Sequence, residues 1–323
     1  MLSMPAPSPF RPAAPALAAG KFRDPARTAT DDARASVGLV ALRTLWFNTG
    51  TLCNIACATC YIESSPTNDA LTYLRAADMI AYLDEIATLD LPTAEIGLTG
   101  GEPFMNRDIV PMLEAALSRG FRTLVLTNAM RPMRRFEAEL QRLVATYGDR
   151  LTFRVSLDHH RADIHEAERG AGTWAFAVDG LRWLAGIGAR IAIAARRLPG
   201  ESDAGSQLGF AGLLAGLGLS LDVADPERLV LFPEMDSGAD TPEITEACWS
   251  ILHKSPASVM CASSRMVVHR RGEPRPRVAA CTLLPYDAGF DLGATLAEAA
   301  RPVALNHPHC ARFCVLGGAS CSA

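Results

Sequence analysis

The sequence predicts an α/β fold: an open, partial (β/α)6 TIM-like barrel followed by a small β-hairpin and helix extension suited to binding metal. Three observations carry that expectation. From Leu42 onward, short apolar runs alternate with longer amphipathic ones, the signature of βαβ units on a parallel sheet. Polar residues gather where the apolar runs stop. After Pro233 the repeats cease and cysteines punctuate the chain instead.

Taken in order, residues 1–36 are dense in proline and alanine (Pro5, Pro7, Pro9, Pro12, Pro15) and lack the basic start and apolar core of a targeting signal. Such a segment is expected to be disordered or to wrap the surface. The barrel is expected over 37–235, with strands at 42–48, 94–99, 122–128, 151–158, 190–196 and 228–232. Helical spacing separates them, as at Met79, Tyr82, Leu83 and Ile86, and again at Ile109, Met112, Leu113 and Ala116. Strand carboxyl ends then face one cavity, which collects Thr127-Asn128, Ser156 to His160, and Arg196-Arg197. Residues 236–323 form the extension: Cys261, an apolar run at 266–268, a turn at Arg271-Gly272-Glu273-Pro274, a second run at 278–280 and Cys281 read as a hairpin bracketed by cysteines. A short helix is expected near 296–300, before Cys310, Cys314 and Cys321.

Composition narrows the function. A chain of 323 residues that is 49% hydrophobic is long enough for one large domain and a small appendage. A net charge of −4 supplies no basic field for nucleic acid. The longest apolar stretch, 181–193, is interrupted by glycine and arginine and is too short for a bilayer, so no membrane partner is expected. The nine cysteines stand at metal-ligand spacing with no signal peptide before them, which points to a reducing, cytoplasmic compartment.

The chemistry centres on Cys53, Cys57 and Cys60, spaced CxxxCxxC and followed by Tyr61. Three thiolates this close can grip one face of an iron–sulfur cluster and leave its fourth iron without a protein ligand. A zinc knuckle is the alternative; it lacks a nearby fourth ligand, since the next histidine is His159. A glycine-rich segment, Thr99-Gly100-Gly101-Glu102-Pro103, ends the second expected strand. Its glycines remove Cβ obstruction and let backbone approach a ligand.

These two motifs, in this order, resemble the radical S-adenosylmethionine (SAM) superfamily. The resemblance implies the same partial barrel and a 4Fe-4S cluster on Cys53, Cys57 and Cys60, whose open iron binds the amino and carboxylate groups of SAM. Reductive cleavage of SAM would give a 5′-deoxyadenosyl radical that abstracts a substrate hydrogen atom. Gly100, Gly101, Glu102 and Pro103, with Thr99, would hold the SAM ammonium group, and Tyr61 fits the aromatic after the cluster. Ser156 would reach the ribose or carboxylate and Arg169 the carboxylate, because a guanidinium fork suits a carboxylate. Thr127 and Asn128 would face SAM or substrate.

The carboxyl-terminal cysteines resemble the twitch version of the SPASM-type extension, which implies an auxiliary 4Fe-4S cluster on Cys261, Cys281, Cys310 and Cys314, with Cys321 a fifth candidate. Three ligands would leave an open iron for substrate, and four would make an electron relay; a structural zinc site is the alternative. No cobalamin-sized domain precedes the cysteine loop, which argues against a cobalamin-dependent methylase, and residues 1–36 are too few and too proline-rich to build the recognition domain of peptide-modifying relatives, which points to a small-molecule or short-peptide substrate. A peptide or protein maturase and a non-catalytic zinc or iron–sulfur module are the competing readings. An electron donor such as flavodoxin or ferredoxin is implied. His159 and His160 read either as metal or acid–base groups or as hydrogen-bonding residues at a strand end. Arg196 and Arg197 read as anion contacts or as solvated, and Cys248 as a buried free thiol.

Overall fold

In the computed structural model, which describes residues 8–10, 14–233 and 238–320, a short strand β1 (Ser36–Val37) precedes the barrel strands. These are β2 (Thr44–Asn48), β3 (Glu95–Thr99), β4 (Arg122–Thr127), β5 (Leu151–Ser156), β6 (Arg190–Arg196) and β7 (Leu229–Phe232). Crossovers are helical: α1 (Ala76–Thr88), α2 (Ile109–Ser118), α3 (Arg131–Arg134) with α4 (Glu137–Tyr147), α5 (Ala162–Arg169) with α6 (Thr173–Gly186), and α7 (Asp203–Gly216). Helix α1 buries Met79, Tyr82, Leu83 and Ile86, and α2 buries Ile109, Met112, Leu113 and Ala116, the positions that helical spacing marked as one face. All five residues of β2 and of β3 are buried, as strands covered on both faces must be.

The sheet runs β7-β6-β5-β4-β3-β2 and does not stop there. Strand β8 (Ser264–Val268) pairs in parallel with β2, from Thr44 opposite Ser264 to Phe47 opposite Val267, and β9 (Arg277–Ala279) returns antiparallel to it. The hairpin expected as a separate extension is therefore the far edge of the barrel's own sheet. The reason lies in its burial: every residue of β8 is buried, and a two-stranded hairpin cannot cover both faces of such a strand.

Parallel register aligns the carboxyl ends of the strands at one rim. Asn48 pairs with Thr99, Ser156 with Ala194 and Arg196 with Phe232. The helix expected at 296–300 is only a single 3-10 turn, Glu298–Ala300. Pro302 forces Arg301 into extended backbone and ends the turn, and β10 (Val303–Ala304) then pairs with β1. A π-helical segment, Cys310–Leu316, carries the last two described cysteines. The amino-terminal segment lies against this carboxyl-terminal region through a buried Arg34–Glu243 ion pair and an Ala16–Ala239 bridge. Among the described residues, no helix is long and apolar enough to cross a membrane.

Candidate active site

Cys53, Cys57 and Cys60 line one cavity of about 160 Å³ at the rim, together with Tyr61, Thr99, Gly100, Gly101, Asn128, Ser156 and Arg169. The cysteine loop is pinned from both sides: Cys53 N–H donates to Ser65 O at 3.0 Å, and Ala58 N–H to Glu168 O at 2.8 Å. Burial pushes the Cys53 thiol up to about 12 and the Cys57 thiol up to about 11. Thiols so placed stay protonated until a metal takes the proton's place. Three sulfurs from one loop, facing a shared cavity, are the donor set that a 4Fe-4S cluster with one open iron requires.

The two glycines serve a purpose beyond ligand access. Gly100 sits at φ +150°, and a Cβ there would come within 2.6 Å of Gly50 O; at Gly101 it would meet Leu52 O at 2.3 Å. Gly101 N–H donates to Gly50 O at 2.8 Å and Glu102 N–H to Leu52 O at 3.1 Å. The glycines thus let β3's end dock on the chain that leads into the cysteine loop. Those two N–H groups are committed, so what these peptide units can still offer is carbonyl oxygen.

Glu102 and Pro103, expected at the cavity, lie behind it. Pro103 is buried and starts a 3-10 turn whose first N–H donors Glu102 caps. The Glu102 carboxylate also accepts from Thr127 Oγ1 (2.8 Å) and Asn128 N–H (2.8 Å), tying β3 to β4. Burial nonetheless raises its carboxyl to about 7. Asn128 in turn donates Nδ2 to Asn54 Oδ1 at 2.9 Å, reaching into the cysteine loop.

Arg169 lines the cavity, and two of its donors are held by Asp158. Nε donates to Asp158 Oδ2 at 2.6 Å and Nη2 to Asp158 Oδ1 at 3.3 Å. Arg196 reaches the same carboxylate and also donates Nη2 to Glu168 Oε1 at 2.8 Å. Glu168 Oε1 further accepts from the N–H and Oγ1 of Thr59, inside the CxxxCxxC loop. Burial would raise Asp158, but Arg169 and then Arg196 outweigh it and hold the carboxyl far below the usual range. Two cations and two carboxylates thus neutralise one another beside the cysteines. Residues 8–10 close the outside of this network: Ser8 Oγ donates to Glu168 Oε2 at 2.6 Å, and Phe10 lies 4.9 Å from the Arg196 guanidinium.

Other candidates fall outside the cavity. His159 accepts from Arg161 N–H at Nδ1 and shares a 3.3 Å hydrogen bond with Glu201 at Nε2, while His160 stacks on it at 4.1 Å. Arg197 pairs with Asp203 at 2.9 Å. Cys248 is half-buried rather than buried and lies 3.4 Å from the N–H of Thr245.

Cys261, Cys281, Cys310 and Cys314 line a second, smaller cavity, and Leu283 lies on the walls of both. Cys321 lies outside the described residues. None of the eight described cysteines forms a disulfide. Thiolates on a single zinc would stand about 3.8 Å apart at a Zn–S length of about 2.3 Å. Among the described residues, only His159, His160 and Glu201 bring three ligand atoms within 4.8 Å of one another. The cysteine sets are more open than one zinc ion requires.

Sequence reasoning missed Thr59, Glu168, Phe232, Leu283 and Phe313. Glu168 had a signal, since it shares a helical turn with Arg169. The apolar wall of Phe232, Leu283 and Phe313 had none, because three distant segments build it.

The family model described as the radical SAM superfamily matches residues 47–204. Curated relatives include the antilisterial bacteriocin subtilosin biosynthesis protein AlbA of Bacillus subtilis (32% identical over 118 residues; 36% of this chain, 25% of AlbA). Another is the mycofactocin maturase MftC of Mycobacterium ulcerans (28% identical over 208 residues; 64% of this chain, 49% of MftC). The chain thus spans a quarter and about half of these relatives. The SAM-bound crystal structure of Streptococcus suis SuiB shares the fold at TM-score 0.56 and 13% identity, covering 79% of this chain and 64% of SuiB.

Proposed function

We propose, from the match of residues 47–204 to the radical SAM superfamily, that the chain is a radical SAM enzyme that modifies a peptide substrate and carries two 4Fe-4S clusters. Cys53, Cys57 and Cys60 hold the first. Cys261, Cys281, Cys310 and Cys314 hold the second, with Cys321 in reserve, and residues 236–323 are the segment that supplies it. Together with bound SAM, the first cluster supplies a 5′-deoxyadenosyl radical for hydrogen-atom abstraction.

The chain's own residues divide the cavity. Part of the lining is polar, with Thr99, Gly100, Gly101, Asn128 and Ser156, and suits SAM. Carbonyls near Gly100 and Gly101 would accept from its ammonium group. Part is apolar, with Phe232, Leu283 and Phe313, and suits a side chain of the substrate. Arg169 acts through Asp158: a salt-bridged pair at the wall orients the cofactor's polar end and keeps the cysteine loop in place. The relatives named as a bacteriocin biosynthesis protein and a maturase support a peptide over a free metabolite. Thiols without disulfides suit a reducing cytoplasm, where a flavodoxin or ferredoxin would deliver the electron.

The observation that carries the reading is the convergence of three cysteines from one loop with the Gly100-Gly101 backbone on a single cavity. The test is SAM cleavage by anaerobically reconstituted, dithionite-reduced protein. Wild type is expected to release 5′-deoxyadenosine and Cys57→Ala to release none. Cleavage retained in Cys57→Ala would refute the assignment.

A further inference from the structure

Arg265 is 1% exposed, one of the largest fully buried side chains, and it lies on β8 among the carboxyl-terminal cysteines. Its guanidinium donates to four carbonyl oxygens: Cys261 O at 2.5 Å, Ser264 O at 2.8 Å, Ala299 O at 2.9 Å and Arg301 O at 3.2 Å. Among the described residues, no carboxylate pairs with it. The fork is held directly on one of those cysteines, through the carbonyl oxygen of Cys261.

Carbonyls satisfy the hydrogen bonds of a guanidinium but not its charge, which arginine keeps at any physiological pH. A buried cation without an anion is strongly disfavoured. A chain that folds around Arg265 therefore provides an anion next to it, and thiolates on a metal centre are the anion these surroundings can make. Each carbonyl also fixes the guanidinium in place, so its field is aimed rather than averaged over rotamers.

We propose that Arg265 is the built-in counter-charge of the carboxyl-terminal metal centre, stabilising its more negative, reduced state. This rests on the reading of Cys261, Cys281, Cys310 and Cys314 as cluster ligands. As a positioning residue it touches neither substrate nor SAM. It acts through a fixed positive charge in surroundings that screen it little, and burial and nearby charge are among the levers that set an iron–sulfur potential.

The test uses full-length protein in which Cys53, Cys57 and Cys60 are all changed to alanine, so that only the carboxyl-terminal cluster remains. Iron and sulfide are counted, and the cluster is titrated by electron paramagnetic resonance against potential. With Arg265 intact, about four irons per chain are expected, from one four-iron cluster. Arg265→Met is expected to lower the one-electron reduction equilibrium at least tenfold, a shift of 59 mV to more negative potential, or to lose the cluster. Arg265→Lys, which keeps the charge, is expected to retain the cluster with a shift less than half as large. Equal potentials in the Met variant and the parent would overturn the proposal, and so would loss of the cluster from both variants, since the carbonyl fork and not the charge would then be what matters. No iron in the parent with Arg265 intact would instead overturn the cluster reading, and the counter-charge with it.

Discussion

Two buried groups should make stability respond to pH in opposite directions, so that each conceals the other. Glu102 has its carboxyl raised by burial to about 7. His165 is fully buried against Trp174, with neither ring nitrogen hydrogen-bonded, and burial lowers it to about 4. Between the unfolded value near 4.5 and 7, the folded chain holds a proton on Glu102 that the unfolded chain has lost; stability from this group is full below 4.5 and falls as pH rises. Between 4 and 6.5 the unfolded chain holds a proton on His165 that the folded chain excludes, so stability from this group rises with pH. Each slope is about 1.4 kcal/mol per pH unit, from the free energy of one pKa unit. In the shared window from pH 4.5 to 6.5 they cancel.

Glu102→Gln removes only the falling term. Relative to wild type, its stability should therefore rise by about 3 kcal/mol across that window. His165→Leu should show the reverse, falling by a similar amount. The assay is urea denaturation of the apo protein under anaerobic, thiol-reducing conditions at half-unit pH steps, comparing each variant with wild type so that all other titrations drop out. Parallel curves for wild type and Glu102→Gln would refute the claim that Glu102 is protonated in the fold at pH 6.

Two further outcomes follow from the site's geometry. Gly101→Ala would drive a Cβ against Leu52 O, where 2.3 Å is available; the cysteine loop must shift, and reconstituted iron should drop toward half of the wild-type content, measured by metal analysis, while the far-ultraviolet circular dichroism is kept. Asp158→Ala removes the carboxylate that pairs with buried Arg169 and one of the two that pair with Arg196 and should cost about 3–5 kcal/mol in chemical denaturation.

Much of the barrel was legible because its strands and helices are local patterns. The periodicity of Met79, Tyr82, Leu83 and Ile86 marks a buried face whatever lies opposite. That the cysteine loop and Gly100-Gly101 meet at one cavity was legible because each is a short local motif that follows a barrel strand. What could not be read depends on partners far along the chain. Arg169 reads as a lone cation until Asp158 and Glu168 fold against it and Arg196. The hairpin looked independent because β2 and β8, its parallel neighbour, are separated by more than half the chain. Its apolar run Met266-Val267-Val268 was the available hint.

The position of β8 beside β2 has a consequence for synthesis of the chain. Strand β2 precedes the cysteine loop, and its open edge is filled by a strand that leaves the ribosome more than 200 residues later. At about 5–20 residues per second, that edge waits on the order of ten seconds or more, its backbone N–H and C=O groups unpaired. A nascent chain is therefore vulnerable at the very strand that delivers the first cysteines, and truncation before residue 264 would leave a barrel open to association with itself. Until then the cysteine loop follows a strand that is paired on one edge only.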